Sequence, residues 1–133
     1  MSMDSYAVYS PCALVIDDDL AKLMLDKKGI ICDLSEDPKS QLYDEFLFDN
    51  VQEIYYITDF TGEVNPLFND DNYETVNDSV FYVECNHDPE LFRAVYSSEE
   101  ELIQEFKEKL EAFLPYGFDI KSNLHVIIGV TFD

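Results

Sequence analysis

Tryptophan is absent from the 133 residues, glycine occurs only four times, and eight Lys and Arg stand against 29 Asp and Glu, a formal charge of −21 at pH 7. So few cations exclude a protein that grips nucleic acid directly, because such binding runs on Lys and Arg contacts to phosphate. They argue equally against adhesion to an anionic membrane. No run approaches the ~20 consecutive apolar residues of a membrane span, and the first residues carry no basic leader, so the cytoplasm is the expected location. The three cysteines, Cys12, Cys32 and Cys85, are odd in number, far apart and without a Cys-x-x-Cys pair. Neither a disulfide framework nor a zinc site is suggested, and reduced, mostly buried thiols are expected.

What is plentiful is apolar: 47 % of residues are hydrophobic and 14 % aromatic, enough for a proper core and unlike a disordered acidic tail. Charge follows that apolar pattern along the chain, with a balance of −10 from Met1 to Pro66 and −11 from Leu67 to Asp133. Acid spread in this way belongs to the outside of one folded body spanning 1–133. A folded monomer of this mass exposes roughly 7,000 Å², about one net charge per 340 Å², against about one per 110 Å² on duplex DNA. Mimicry of DNA therefore requires the acids to gather on one side.

The chain reads as alternating elements. Ser5 to Ile16 is a strand, bent or broken at Ser10-Pro11 and buried beyond it. Asp17-Asp18-Asp19 supplies cap and first-turn acids to a short helix that stops at Lys27, Lys28 and Gly29, and Ile30 to Cys32 is a candidate short strand. Leu42, Tyr43, Phe46, Leu47 and Val51 mark a second helix after Pro38. Gln52 to Phe60 reads as a strand, Thr61-Gly62 as a turn, Glu63-Val64 as a return strand and Asn69 to Asn72 as a loop. Ser79 to Cys85 is a strand with Leu91 to Tyr96 as its partner. Ser97 and Ser98, each three residues before a glutamate, open a third helix. Its buried stripe is Leu102, Ile103, Phe106, Leu110, Phe113 and Leu114, and its wet side is Glu99, Glu105, Glu108 and Lys109. Leu124 to Phe132 is the last strand. The sum is an α+β fold with a largely antiparallel sheet of about five or six strands and about three helices on one face. Tyr and Phe exceed what one core face needs, so Tyr55, Tyr56, Tyr73 and Tyr82 form a candidate exposed aromatic patch.

Candidate chemistry is thin. Cys85 and His87 sit among Glu84, Asp88 and Glu90, an anionic setting that disfavours a thiolate, so a buried thiol beside a turn histidine is the better reading. His125 reads as structural. The loop ending in Glu74 lacks the glycine and terminal glutamate spacing of a calcium-binding hand, and no cofactor motif is present. The apolar run ending in Asp17-Asp18, with Asp59 near the end of another predicted strand, resembles the acidic pocket of response-regulator receiver domains. The resemblance implies Asp17 and Asp18 as magnesium ligands and Asp59 as phospho-acceptor. The Ser or Thr and the Lys that a receiver shows later are replaced by Cys85-Asn86 and Thr131-Phe132-Asp133. Helix capping accounts for Asp17 to Asp19 without a metal.

Two functional expectations of different class follow. The first is an acidic module that binds a basic protein. It would be an inhibitor or decoy occupying the nucleic-acid surface of an enzyme, in the manner of phage-encoded DNA mimics or of immunity proteins that neutralise nucleases. Its candidate contacts are Asp44, Glu45, Asp49 and Glu53 on or after the second helix, Asp70, Asp71 and Glu74 in the loop, and Glu101, Glu105 and Glu108 on the third helix. The second is the carboxylate-site enzyme or phospho-acceptor just described. A non-inhibitory acidic domain, charged for solubility or high salt, is the plain alternative.

Overall fold

A computed structural model of the chain describes residues 5–68, 74–85 and 99–132. Its elements are β1 (Ser5–Val15), α1 (Asp18–Lys27), α2 (Pro38–Phe48), β2 (Ile54–Pro66), β3 (Glu74–Val83), α3 (Glu99–Lys109), a short 3-10 helix (Lys121–Asn123) and β4 (Leu124–Phe132). The class is the expected α+β with three helices and an antiparallel sheet. The described residues hold four long strands rather than about five or six.

The difference has identifiable causes. Thr61-Gly62 makes no turn: β2 runs straight through it, and Gly62 lies directly opposite Gly129 of β4. A Cβ on Gly62 would overlap the Ile128 carbonyl oxygen, so the glycine serves close backbone approach rather than reversal. Residues Ile30 to Cys32 are irregular, held by other bonds described below. The expected strand Leu91 to Tyr96, the loop Asn69 to Asn72, His87, Tyr73 and the serines expected to cap α3 lie outside the described residues.

The four strands close on one another in the order β1-β3-β2-β4, every pairing antiparallel. Four strands enclose an interior only if they bend sharply. The register shifts between Ser10 and Ala13 in β1, at the expected proline, and between Ile57 and Phe60 in β2. Inside lies a small core to which every strand contributes: Val8, Ala13, Phe60, Val64, Val80, Tyr82 and Ile127. Alternate residues of the same strands, such as Leu14, Phe81 and Val83, face outward into a larger core with the helices. That layer is filled by Leu20, Met24 and Leu25 of α1, Leu42 and Phe46 of α2, and Leu102 and Phe106 of α3. Phe46 meets Phe113 edge-on at 4.7 Å between ring centres.

The helix termini follow local chemistry. Asp17 caps α1, its Oδ1 accepting the Leu20 N–H at 2.8 Å, and Gly29 leaves the helix at φ +78°. Pro38 opens α2 at its first turn instead of preceding it, with Asp37 as cap. α3 ends at Lys109, so Leu110, Phe113 and Leu114 are buried from the turns after it.

Candidate functional site

The lysines decide how the acidic surface is organised. Lys28 pairs with Asp49 at 2.6 Å and lies over the Phe113 ring. Lys109, expected on the wet side of α3, is instead turned inward. It pairs with Glu53 at 3.1 Å and donates to the backbone carbonyl of Glu84. Lys121 pairs with Glu99 at 2.8 Å, and Lys39 leans over Tyr56 toward the Ser79 hydroxyl. These cations are tied down locally, and two of them neutralise expected contact residues, Asp49 and Glu53.

The remaining candidates divide by place. Asp44 is exposed and Glu45 half-buried on α2. Glu101, Glu105 and Glu108 are all exposed on α3, where the i, i+4, i+7 spacing sets them in one stripe, and Gln104 donates to Glu108 at 3.1 Å. That stripe advances about 10 Å, roughly one carboxylate per 5 Å, against about 3.4 Å per phosphate along one DNA strand. Glu74 is separate: with Asp17, Asp78, Lys39 and His125 it lines a cleft of about 440 Å³ that none of the other described candidates lines. Asp70 and Asp71 lie outside the described residues.

Of the expected aromatic patch, Tyr73 lies outside the described residues, Tyr82 is buried, and Tyr55 and Tyr56 are half-buried. Tyr82 is 3 % exposed inside the strands, Tyr55 stacks on it at 5.2 Å, and Tyr56 stacks on Phe81 at 5.1 Å. Cross-strand pairing of Tyr55 with Tyr82 and of Tyr56 with Phe81 puts the rings against one another. Burial pushes the hydroxyls of all three tyrosines up, that of Tyr56 to about 12, where its bond to the Asp37 carboxylate adds to the effect. Exposed bulk occurs elsewhere, in Ile31, Leu34, Leu47, Phe48 and Tyr116.

For receiver-like chemistry the arrangement is unlike the family's. A receiver collects its acids at the carboxyl ends of parallel strands. Here the strands are antiparallel, Asp17 caps α1 from the cleft, and Asp59 sits within the irregular stretch of β2, its carbonyl accepting from the Thr131 hydroxyl. Among the described residues no three His, Cys, Asp or Glu are grouped to hold a metal ion. Half-buried His125 is bonded through Nδ1 to the Asn123 carbonyl at 2.9 Å. The Cys12 thiol is pushed far up by burial and by its neighbours Cys85 and Glu84, the reverse of an activated nucleophile.

Buried Glu84 is a feature that its place in a predicted strand did not disclose. It accepts a 2.6 Å bond from the equally buried Ser10 hydroxyl and so ties β1 to the end of β3. The serine beside Pro11 was the available signal, since a polar residue at a bulge needs a partner. No helix of the described residues is long and apolar enough to cross a membrane. Compared with protein families, curated proteins and solved structures, the chain matches none.

Proposed function

We propose that this chain is an acidic protein-binding module that occupies the basic nucleic-acid surface of a partner protein, as an inhibitor or decoy. The observation that carries the reading is the disposition of the cations. Lys28, Lys39, Lys109 and Lys121 are held against the protein's own carboxylates, hydroxyl or rings, while Asp44, Glu105 and Glu108 are exposed; Lys22, Lys27 and Lys107 are exposed as well, Lys107 on α3 itself. Over 8262 Å² the net charge averages one per about 390 Å², more dilute than DNA, so only such local concentration gives a cationic cleft something to read. The partner supplies the Lys and Arg. The acidic rim steers the encounter.

The test uses a panel of purified nucleic-acid enzymes with basic clefts. An enzyme bound by the chain is expected to be inhibited, with relief by excess duplex DNA. Its association rate should fall by one to three powers of ten as the Debye length shrinks from ~30 Å to ~8 Å. Inhibition that DNA does not relieve, or an association rate indifferent to salt, overturns the reading.

A further inference from the structure

Ile31, Leu34 and Phe48 are 91 %, 101 % and 81 % exposed, unusual for three bulky apolar side chains so close in sequence. They are also presented by an ordered scaffold. The Gln41 side chain donates to the Ile31 carbonyl at 3.1 Å and accepts the Asp33 N–H at 3.1 Å, clamping the α1–α2 connection onto α2. The Asp33 carboxylate in turn accepts from the Ser35 N–H and hydroxyl at 2.9 and 2.7 Å, and Asp37 caps the helix. On α2, Gln41, Asp44 and Phe48 follow the i, i+3, i+7 spacing of one face, opposite buried Leu42 and Phe46. Gln41 therefore fixes the backbone at Ile31 and Asp33 against α2, and Phe48 stands about 10 Å along the axis from Gln41 on the same helix face.

The charge of this surface says what it takes. Asp33, Glu36 and Asp44 are exposed around the apolar groups. The one cation of the segment, Lys39, is turned away over the Tyr56 ring. We propose that this face docks a basic amphipathic helix of a partner protein: two apolar anchors about two turns apart meet the Ile31/Leu34 and Phe48 ends, and Lys or Arg between them meets Asp33 and Asp44. Resting on the acidic-binder reading, it adds which face is used and what the partner contributes beyond charge.

The probe is a pair of labelled peptides of about 18 residues made only of Leu and Lys, one with leucines at helical spacing and one scrambled, followed by fluorescence anisotropy. The helical isomer should bind at least about tenfold tighter than the scramble. Ile31→Ser with Phe48→Ser should remove that difference while leaving the thermal midpoint in place, because both side chains already face water. Glu105→Gln with Glu108→Gln should weaken both peptides alike or neither. Equal binding of the two isomers, or a difference that survives the double serine variant, overturns the assignment. So does a concentration-dependent dimer in sedimentation that Phe48→Ser abolishes, since the face then belongs to a second copy of this chain. If the enzyme panel shows salt-dependent inhibition relieved by DNA while the peptide isomers bind equally, the binder reading stands and this surface fails. If the panel shows none, the reading itself fails.

Discussion

At Gly62 and Gly129 two backbones meet so closely that hydrogen is the only side chain that fits. A Cβ on Gly129 would overlap the Thr61 carbonyl oxygen and stand 2.7 Å from the Phe60 ring, much as one on Gly62 would meet Ile128. Alanine at either position should cost about 3 kcal/mol in urea unfolding, because main chain cannot give way as the end of a flexible side chain can. Gly29→Ala, where only the left-handed φ of +78° opposes a Cβ and nothing lies within 4 Å, should cost about 1 kcal/mol. A reversed order would mean that the crossing of β2 over β4 is looser than this geometry. Ser10 makes a second residue-scale case. Ser10→Ala removes a bond to a carboxyl group that stays buried, and a loss of about 1 to 3 kcal/mol is expected in the same assay.

At the scale of elements, the tyrosines of β2 and β3 tie stability to alkaline pH. Tyr55, Tyr56 and Tyr82 hold their protons more tightly in the folded chain than at the ordinary tyrosine value of 10.0. Each therefore contributes stability that is complete below about pH 10 and lost as pH rises toward the folded value, about 12 for Tyr56. Denaturant midpoints should fall across that range, and Tyr56→Phe should make the fall shallower. Near-ultraviolet tyrosinate absorbance would follow the titration cleanly, there being no tryptophan. Asp37 works in the opposite sense. Burial raises it, but the Tyr56 hydroxyl and the Lys39 N–H and charge outweigh that and lower it, so its contribution is present at neutral pH and lost in acid. Lys109→Ala should cost about 1 to 3 kcal/mol, since it removes both the partner of half-buried Glu53 and a donor to the Glu84 carbonyl.

Elements marked by local signals were legible. Asp17 and Gly29 bracket α1, the apolar period of α3 placed Leu102 and Phe106 inside, and β4 runs over the residues that its composition indicated. Elements that depend on a distant neighbour were not. Gly62 carries a turn-forming residue's identity but is recruited by Gly129, far along the chain, and Lys109 carries a surface residue's identity but is drawn in by Glu53. The Tyr55 and Tyr82 rings are surplus to a single core face, whereas these strands are buried on two.

For the whole molecule the largest electrostatic effect is self-repulsion. With a net charge of −21 on one small body, added monovalent salt should raise the thermal midpoint of the isolated chain while slowing its association with a basic partner. A midpoint indifferent to salt between about 10 mM and about 1 M would mean that the acids are already far enough apart not to interact.

Composition, charge balance and helix periodicity settled by themselves that this is an acidic, foldable α+β chain, because burial and solvation act on each segment separately. Strand closure, the second core and the capture of Lys28 and Lys109 by Asp49 and Glu53 were decided only in three dimensions. So was the joint exposure of Ile31, Leu34 and Phe48. Each of these depends on which distant residue stands opposite, and neither local periodicity nor a residue's own chemistry encodes that.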